Sequence, residues 1–129
     1  MEKRAIAELA AKVLYLKNPE LIDHQKSLFI DYVMTSIDFV DFGYELKALS
    51  NQPITLDDLW PVSRMITNPE FFTNGRWTQR GVSWLREIFQ NEQLSENATM
   101  HQLHAFFSVD FIARRIAAYK EPTKEYANG

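Results

Sequence analysis

The chain has no cysteine among its 129 residues. Disulfide bonds, zinc sites built on thiolates, iron–sulfur clusters and thiol nucleophiles are therefore excluded. This absence is typical of proteins in a reducing compartment, and we expect a cytoplasmic location. Excess charge is also small, with a net charge of −3, so neither a strongly basic nucleic-acid binder nor an acidic mimic of nucleic acid is indicated.

Long apolar runs are missing as well. Glu8 and Lys12 interrupt the first segment where a signal peptide would need an unbroken apolar stretch. Elsewhere, no window approaches the roughly 20 apolar residues of a membrane-spanning helix. We therefore expect no association with a membrane.

The chain is rich in apolar residues at helical spacing, in nearly every segment. Hydrophobic residues make up 46% and charged residues 24% of the chain, which is typical of a globular protein. The pattern predicts an all-α fold, an irregular bundle of five to seven helices in a single domain over residues 1–120. Residues 121–129, which include Pro122, are predicted to form a flexible C-terminal tail.

Polar residues mark where the predicted helices begin. The first helix is expected over residues 2–16, and a long helix from residue 19 or 24 to residue 49. The dipeptide Asn74–Gly75 is the strongest turn signal; we interpret it as a turn between helices, with a small hairpin as the alternative. The residues expected to cap helices are Asn18, Thr55, Thr78 and either Asn97 or Thr99.

Residues 28–49 carry the most informative pattern. At 100° per residue, one face of this helix is apolar and the opposite face holds a stripe of acids with Phe42 among them. An exposed ring surrounded by carboxylates is typical of a binding surface. We predict that Asp38, Asp41, Phe42 and Glu45 contact a protein partner or a second copy of the chain, with Phe42 partly exposed. The alternative is that a neighbouring segment, such as residues 68–75, covers Phe42.

The opposite, apolar face of this helix is assigned to the core together with residues of later helices. Trp77 and Trp84, seven residues apart, are assigned to it as well. The residues predicted to be largely buried are Phe29, Val33, Ile37, Val40, Trp77, Trp84, Ile88, Leu103, Phe107, Ile112 and Ile116.

Catalytic and metal-binding patterns are weak. His101 and His104 share one helix face and His24 could join them, but a metal site needs three or four converging ligands and the zincin pattern is absent. No glycine loop for phosphate and no serine in a nucleophile context is present. We therefore expect a non-enzymatic protein without metal or cofactor, which acts by binding another macromolecule.

Two other functions stay open. The 13% aromatic content could line a pocket for a small ligand between helices. Alternatively, Arg76 and Arg80 could bind nucleic acid, because residues 60–86 mix arginine with aromatic rings as single-strand binding surfaces do.

Overall fold

This computed structural model describes residues 1–119 of the chain, which contain seven α-helices and one small hairpin. The all-α, single-domain prediction is confirmed, with 53% helix and 3% strand. The predicted tail at 121–129 lies outside the described residues. The helices are α1 Lys3–Val13, α2 Ser36–Ser50, α3 Leu56–Leu59, α4 Val62–Met65, α5 Gln79–Phe89, α6 Met100–His104 and α7 Val109–Ala118.

Side-chain caps fix where the helices begin. In a capping box, the N-cap residue just before the helix and the third residue of the helix exchange hydrogen bonds, the side chain of each bonding to the backbone of the other. Such boxes open α2, α3 and α6, with the pairs Thr35–Asp38, Thr55–Asp58 and Thr99–Gln102. The Thr78 and Ser108 hydroxyls each accept one backbone N–H and cap α5 and α7, and the Asn18 side chain caps a 3₁₀ turn at Pro19–Leu21 in the same way. The predicted caps at Asn18, Thr55, Thr78 and Thr99 are confirmed.

The segment before α2 is not the long helix that its apolar spacing predicted. Residues 22–35 form turns, and side chains supply the hydrogen bonds that a helix would have made. The Tyr32 hydroxyl accepts from the N–H of Asp23 at 2.6 Å, and the Asp31 carboxylate accepts from the N–H of Ser27 at 2.8 Å. The N–H of Leu28 donates to the carbonyl of Phe107 at 2.7 Å, so this segment is tied to the start of α7.

Aromatic rings fill the centre of the core. Phe29 stacks on Phe107 with ring centroids 4.2 Å apart, and Trp60 meets both rings edge-on at 5.5 and 5.4 Å. Around these rings, α1 packs against α2 and α7. Phe29 is half-buried against this core. Six other predicted core residues are confirmed as buried: Trp77, Ile88, Leu103, Phe107, Ile112 and Ile116.

Four predicted core residues are exposed instead. Val33, Ile37, Val40 and Trp84 keep 71%, 74%, 40% and 44% of their surface accessible. Val33 lies in the turns before α2, and Ile37 and Val40 lie on the outward side of that helix. In α5, the burial of Gly81, Leu85, Ile88 and Phe89 turns Trp84 outward.

The Asn74–Gly75 turn closes a hairpin, so the interpretation as a turn between helices is wrong and the hairpin alternative is confirmed. Strand β1 (Phe72–Thr73) pairs antiparallel with β2 (Arg76–Trp77). Both turn residues have positive φ, 55° and 77°, as a two-residue type I′ turn requires. The Trp77 indole donates to the carbonyl of Ala98 at 3.0 Å, which fastens the hairpin to the loop before α6.

Two glycines offer a matched test of this packing. A β-carbon at Gly81 would collide with the backbone carbonyl of Phe71, which is held by the N–H of Thr78. A β-carbon at Gly43 would meet only the tip of the Leu56 side chain, which can rotate away. We expect Gly81→Ala to lower the free energy of unfolding by about 1–3 kcal/mol, as overpacking does.

Gly43→Ala serves as the control, because the helix propensity of alanine offsets the displacement of Leu56 and the change should stay within about 1 kcal/mol. Urea denaturation of both variants measures this. Equal losses would show that the Phe71 backbone yields as easily as a leucine side chain.

Candidate functional site

Helix α2 carries apolar side chains on both of its faces. The inner face, with Phe42 and Leu46, is fully buried in the core. The outer face leaves Ile37, Val40 and Tyr44 exposed at 74%, 40% and 72%, and the exposed Ala48 continues the same line. We call Ile37, Val40, Tyr44 and Ala48 the outer stripe. Large apolar residues aligned on an exposed helix face are typical of a contact surface.

The predicted acidic surface around Phe42 loses its central ring. The expected partial exposure of Phe42 is wrong, because this ring is fully buried in the core of the molecule. Asp38 is used inside the chain, where it closes the capping box of α2. Glu45 accepts from the ammonium of Lys12 on α1 at 3.2 Å. Asp41 stays exposed, with no ion-pair partner in residues 1–119, and borders the outer stripe.

A groove of about 530 Å³ runs between the end of α1 and the outer face of α2. Tyr15 and Tyr44 line it, and their side chains are 92% and 72% exposed. The same groove contains Asp41 and the Lys12–Glu45 pair. The sequence analysis singled out both acids as site residues but neither of the two tyrosines. The groove thus joins two accessible phenol rings to a carboxylate that has no ion-pair partner within residues 1–119.

Tyr15 and Val33 have left-handed backbone conformations, with φ of 58° and 54°. At Tyr15 the bonds from the N–H of Leu16 to the Ala11 carbonyl (2.8 Å) and from the N–H of Tyr15 to the Lys12 carbonyl (3.2 Å) form a Schellman motif. Glycine is the usual residue at the left-handed position of a Schellman motif, which Tyr15 occupies here. A β-branched residue such as Val33 rarely adopts the left-handed conformation. Both side chains are largely exposed, so burial does not compensate the strain. Strain of this kind is often found at functional sites.

The histidines do not converge on a metal site. His101 is exposed, while His104 is half-buried with its ring centroid 4.9 Å from that of Phe29 and 5.7 Å from that of Trp60. Burial, and then the neighbouring charge of His101, lower the pKa of His104. Residues 1–119 contain no group of three or more metal-ligating side chains. That the chain binds no metal or cofactor stays a prediction.

The arginines predicted to contact nucleic acid lie around the hairpin. Arg80 pairs with Glu70 at 2.9 Å, and its guanidinium lies 5.4 Å from the ring centre of Phe71. Arg76 is exposed at the end of the hairpin, but the neighbouring Trp77 is buried. One cation and one ring of this mixture are thus used for packing, which weakens the case for base stacking.

A ligand pocket formed by the rings at the centre of the core finds little support. Five surface grooves of residues 1–119 have volumes of about 420–720 Å³. None of these five is lined by Phe29, Trp60 or Phe107, the rings at the centre of the core. These rings contact one another instead.

The strain at Tyr15 predicts a stabilising substitution. Tyr15→Gly should raise the free energy of unfolding by about 1 kcal/mol, because glycine adopts the left-handed conformation without steric cost. Tyr15→Ala is the control, since it removes the exposed ring and keeps the β-carbon, and it should be nearly neutral. Thermal and urea denaturation measure both. A loss of stability in the two variants alike would mean that the ring itself stabilises the fold.

Within residues 1–119, every helix falls short of the length and apolar character that crossing a bilayer requires. Comparisons with known proteins give no relative: no protein-family model, curated protein or solved structure matches this chain. We therefore infer the function from the side chains of this chain alone.

Proposed function

We propose that this chain is a non-enzymatic binding protein that contacts a protein partner, either a different protein or a second copy of the chain, through the outer stripe of α2. One observation carries the proposal. Ile37, Val40 and Tyr44 stay exposed on a helix whose opposite face already supplies the core. These three side chains are not among the buried residues that form the core, whereas a partner that covers them gains the free energy of removing apolar surface from water.

The spacing of the outer stripe suits a helical or extended partner segment. Its residues follow one another at helical intervals from position 37 to position 48, a length of roughly 16 Å at 1.5 Å per residue. Helix-in-groove recognition uses anchors at this spacing. The stripe lies beside the groove that holds Tyr15, which widens the apolar surface toward α1. Tyrosine is enriched at interfaces because its ring supplies contact area and its hydroxyl stays wet.

A charge placed in the outer stripe tests the proposal. Ile37→Glu should leave the free energy of unfolding within about 0.5 kcal/mol, because the side chain is exposed. Its effect should appear in binding, since a buried unpaired carboxylate is costly in any interface that covers it. A photo-reactive amino acid at position 44, introduced in cells that produce the protein, should give a discrete covalent adduct. Ile37→Glu should abolish that adduct.

The matched control places the same photo-reactive residue at position 92, an exposed position in the loop after α5. That position should give no discrete adduct. Equal adducts at positions 44 and 92, or an adduct at position 44 that survives Ile37→Glu, would contradict the proposal. The mass of the adduct also separates a second copy of the chain from a different protein.

A further inference from the structure

We infer that the outer stripe receives an amphipathic helix of another protein, and that this helix places an arginine or lysine in the groove between Tyr15 and Tyr44. The inference rests on the proposed function and specifies the chemistry of the partner. It follows from the charges and rings of the groove beside the stripe, taken together with the position of Lys47.

The groove has an unbalanced negative charge. Of its three charged side chains, Lys12 and Glu45 neutralise each other across 3.2 Å. Asp41 then leaves one negative charge, and it has no ion-pair partner in the described part of the chain. A cation from a partner would complete this set, and closing the groove over the pair would reduce its screening by water.

The two tyrosine rings favour the same kind of ligand. Tyr15 and Tyr44 line the groove with Asp41 and expose most of their surface. The face of a phenol ring attracts a guanidinium or ammonium group, and the methylene stem of arginine or lysine packs on apolar surface while its charge reaches a carboxylate. Rings and carboxylate therefore select one cationic side chain carried on an apolar segment.

Lys47 directs the cation to one side of the stripe. At 100° per residue, Lys47 and Val40 lie on the edge opposite to Asp41, and Lys47 is exposed. Lys47 would repel a partner cation on that edge. A partner helix is therefore favoured in the direction that places its cation beside Asp41, and disfavoured in the reverse direction. An antiparallel second copy would set like edges against each other and bring the two Asp41 carboxylates to the same side, which disfavours it.

Two synthetic 16-residue helical peptides test the inference with the full-length protein. Both carry leucine at positions i, i+3, i+7 and i+11 in an Ala/Gln host, and one edge holds two arginines in the first peptide and two glutamates in the second. Fluorescence anisotropy should show the arginine peptide binding at least about fivefold more tightly, the sum of a few exposed charge and cation–π contacts. The difference should shrink in 0.5 M salt.

Charge reversal on the protein gives the sharper comparison. Asp41→Lys should invert the preference between the peptides, whereas Glu92→Lys, the same change on the loop after α5, should leave it as in the natural chain. Tyr15→Ala should weaken binding of the arginine peptide and spare that of the glutamate peptide.

Several outcomes would overturn the inference. They are equal affinity for both peptides, no binding of either at millimolar concentration, and a preference unchanged by Asp41→Lys. A protein that sediments as a dimer and becomes monomeric with Ile37→Glu would show that a second copy covers the stripe. In that last case, or if both peptides bind equally and Ile37→Glu abolishes both, the proposed function stands while this inference fails.

Discussion

Burial of Phe42 and Leu46 orients helix α2, and the surface of the protein depends on that orientation. Both side chains are fully buried, and Gly43 lies between them where Leu56 approaches the helix closely. The capping box of Thr35 and Asp38 sets the residue at which the helix begins. Once the inner face is fixed, helical geometry leaves Ile37, Val40 and Tyr44 no position except the outside.

The exposed apolar residues of the outer stripe shape the surface of the protein and contribute little to the stability of the fold. Aligned apolar side chains on the outside reduce solubility and gain nothing in the isolated chain, so they are usually retained where a partner covers them. Tyr15 and Val33 add backbone strain without burial, which a stability optimum would remove. Natural proteins keep such features where function needs them. The end of α1, the turns before α2 and the outer stripe thus all contain exposed residues that the stability of the fold does not explain.

Local contacts made much of the fold predictable from the sequence, but the orientation of α2 could not be predicted. Helix starts at Thr55, Thr78 and Thr99 could be predicted because a cap is a contact between residues three apart. The faces of α2 could not, because Phe42 on one side and Ile37 on the other both fit a helical period. Only contacts with distant elements decide between two such faces. The same limitation applies to the candidate site, whose acids were predicted while the exposure of Tyr15 had no signal in the sequence.

The orientation of α2 is tested most directly by comparing two truncations within that helix. Equilibrium unfolding in urea should show that Phe42→Ala lowers the free energy of unfolding by about 3–5 kcal/mol, as loss of a core ring does. Ile37→Ala, on the opposite face, should change it by less than about 0.5 kcal/mol. A large loss for Ile37→Ala together with a negligible one for Phe42→Ala would place the outer stripe in the core and contradict the account.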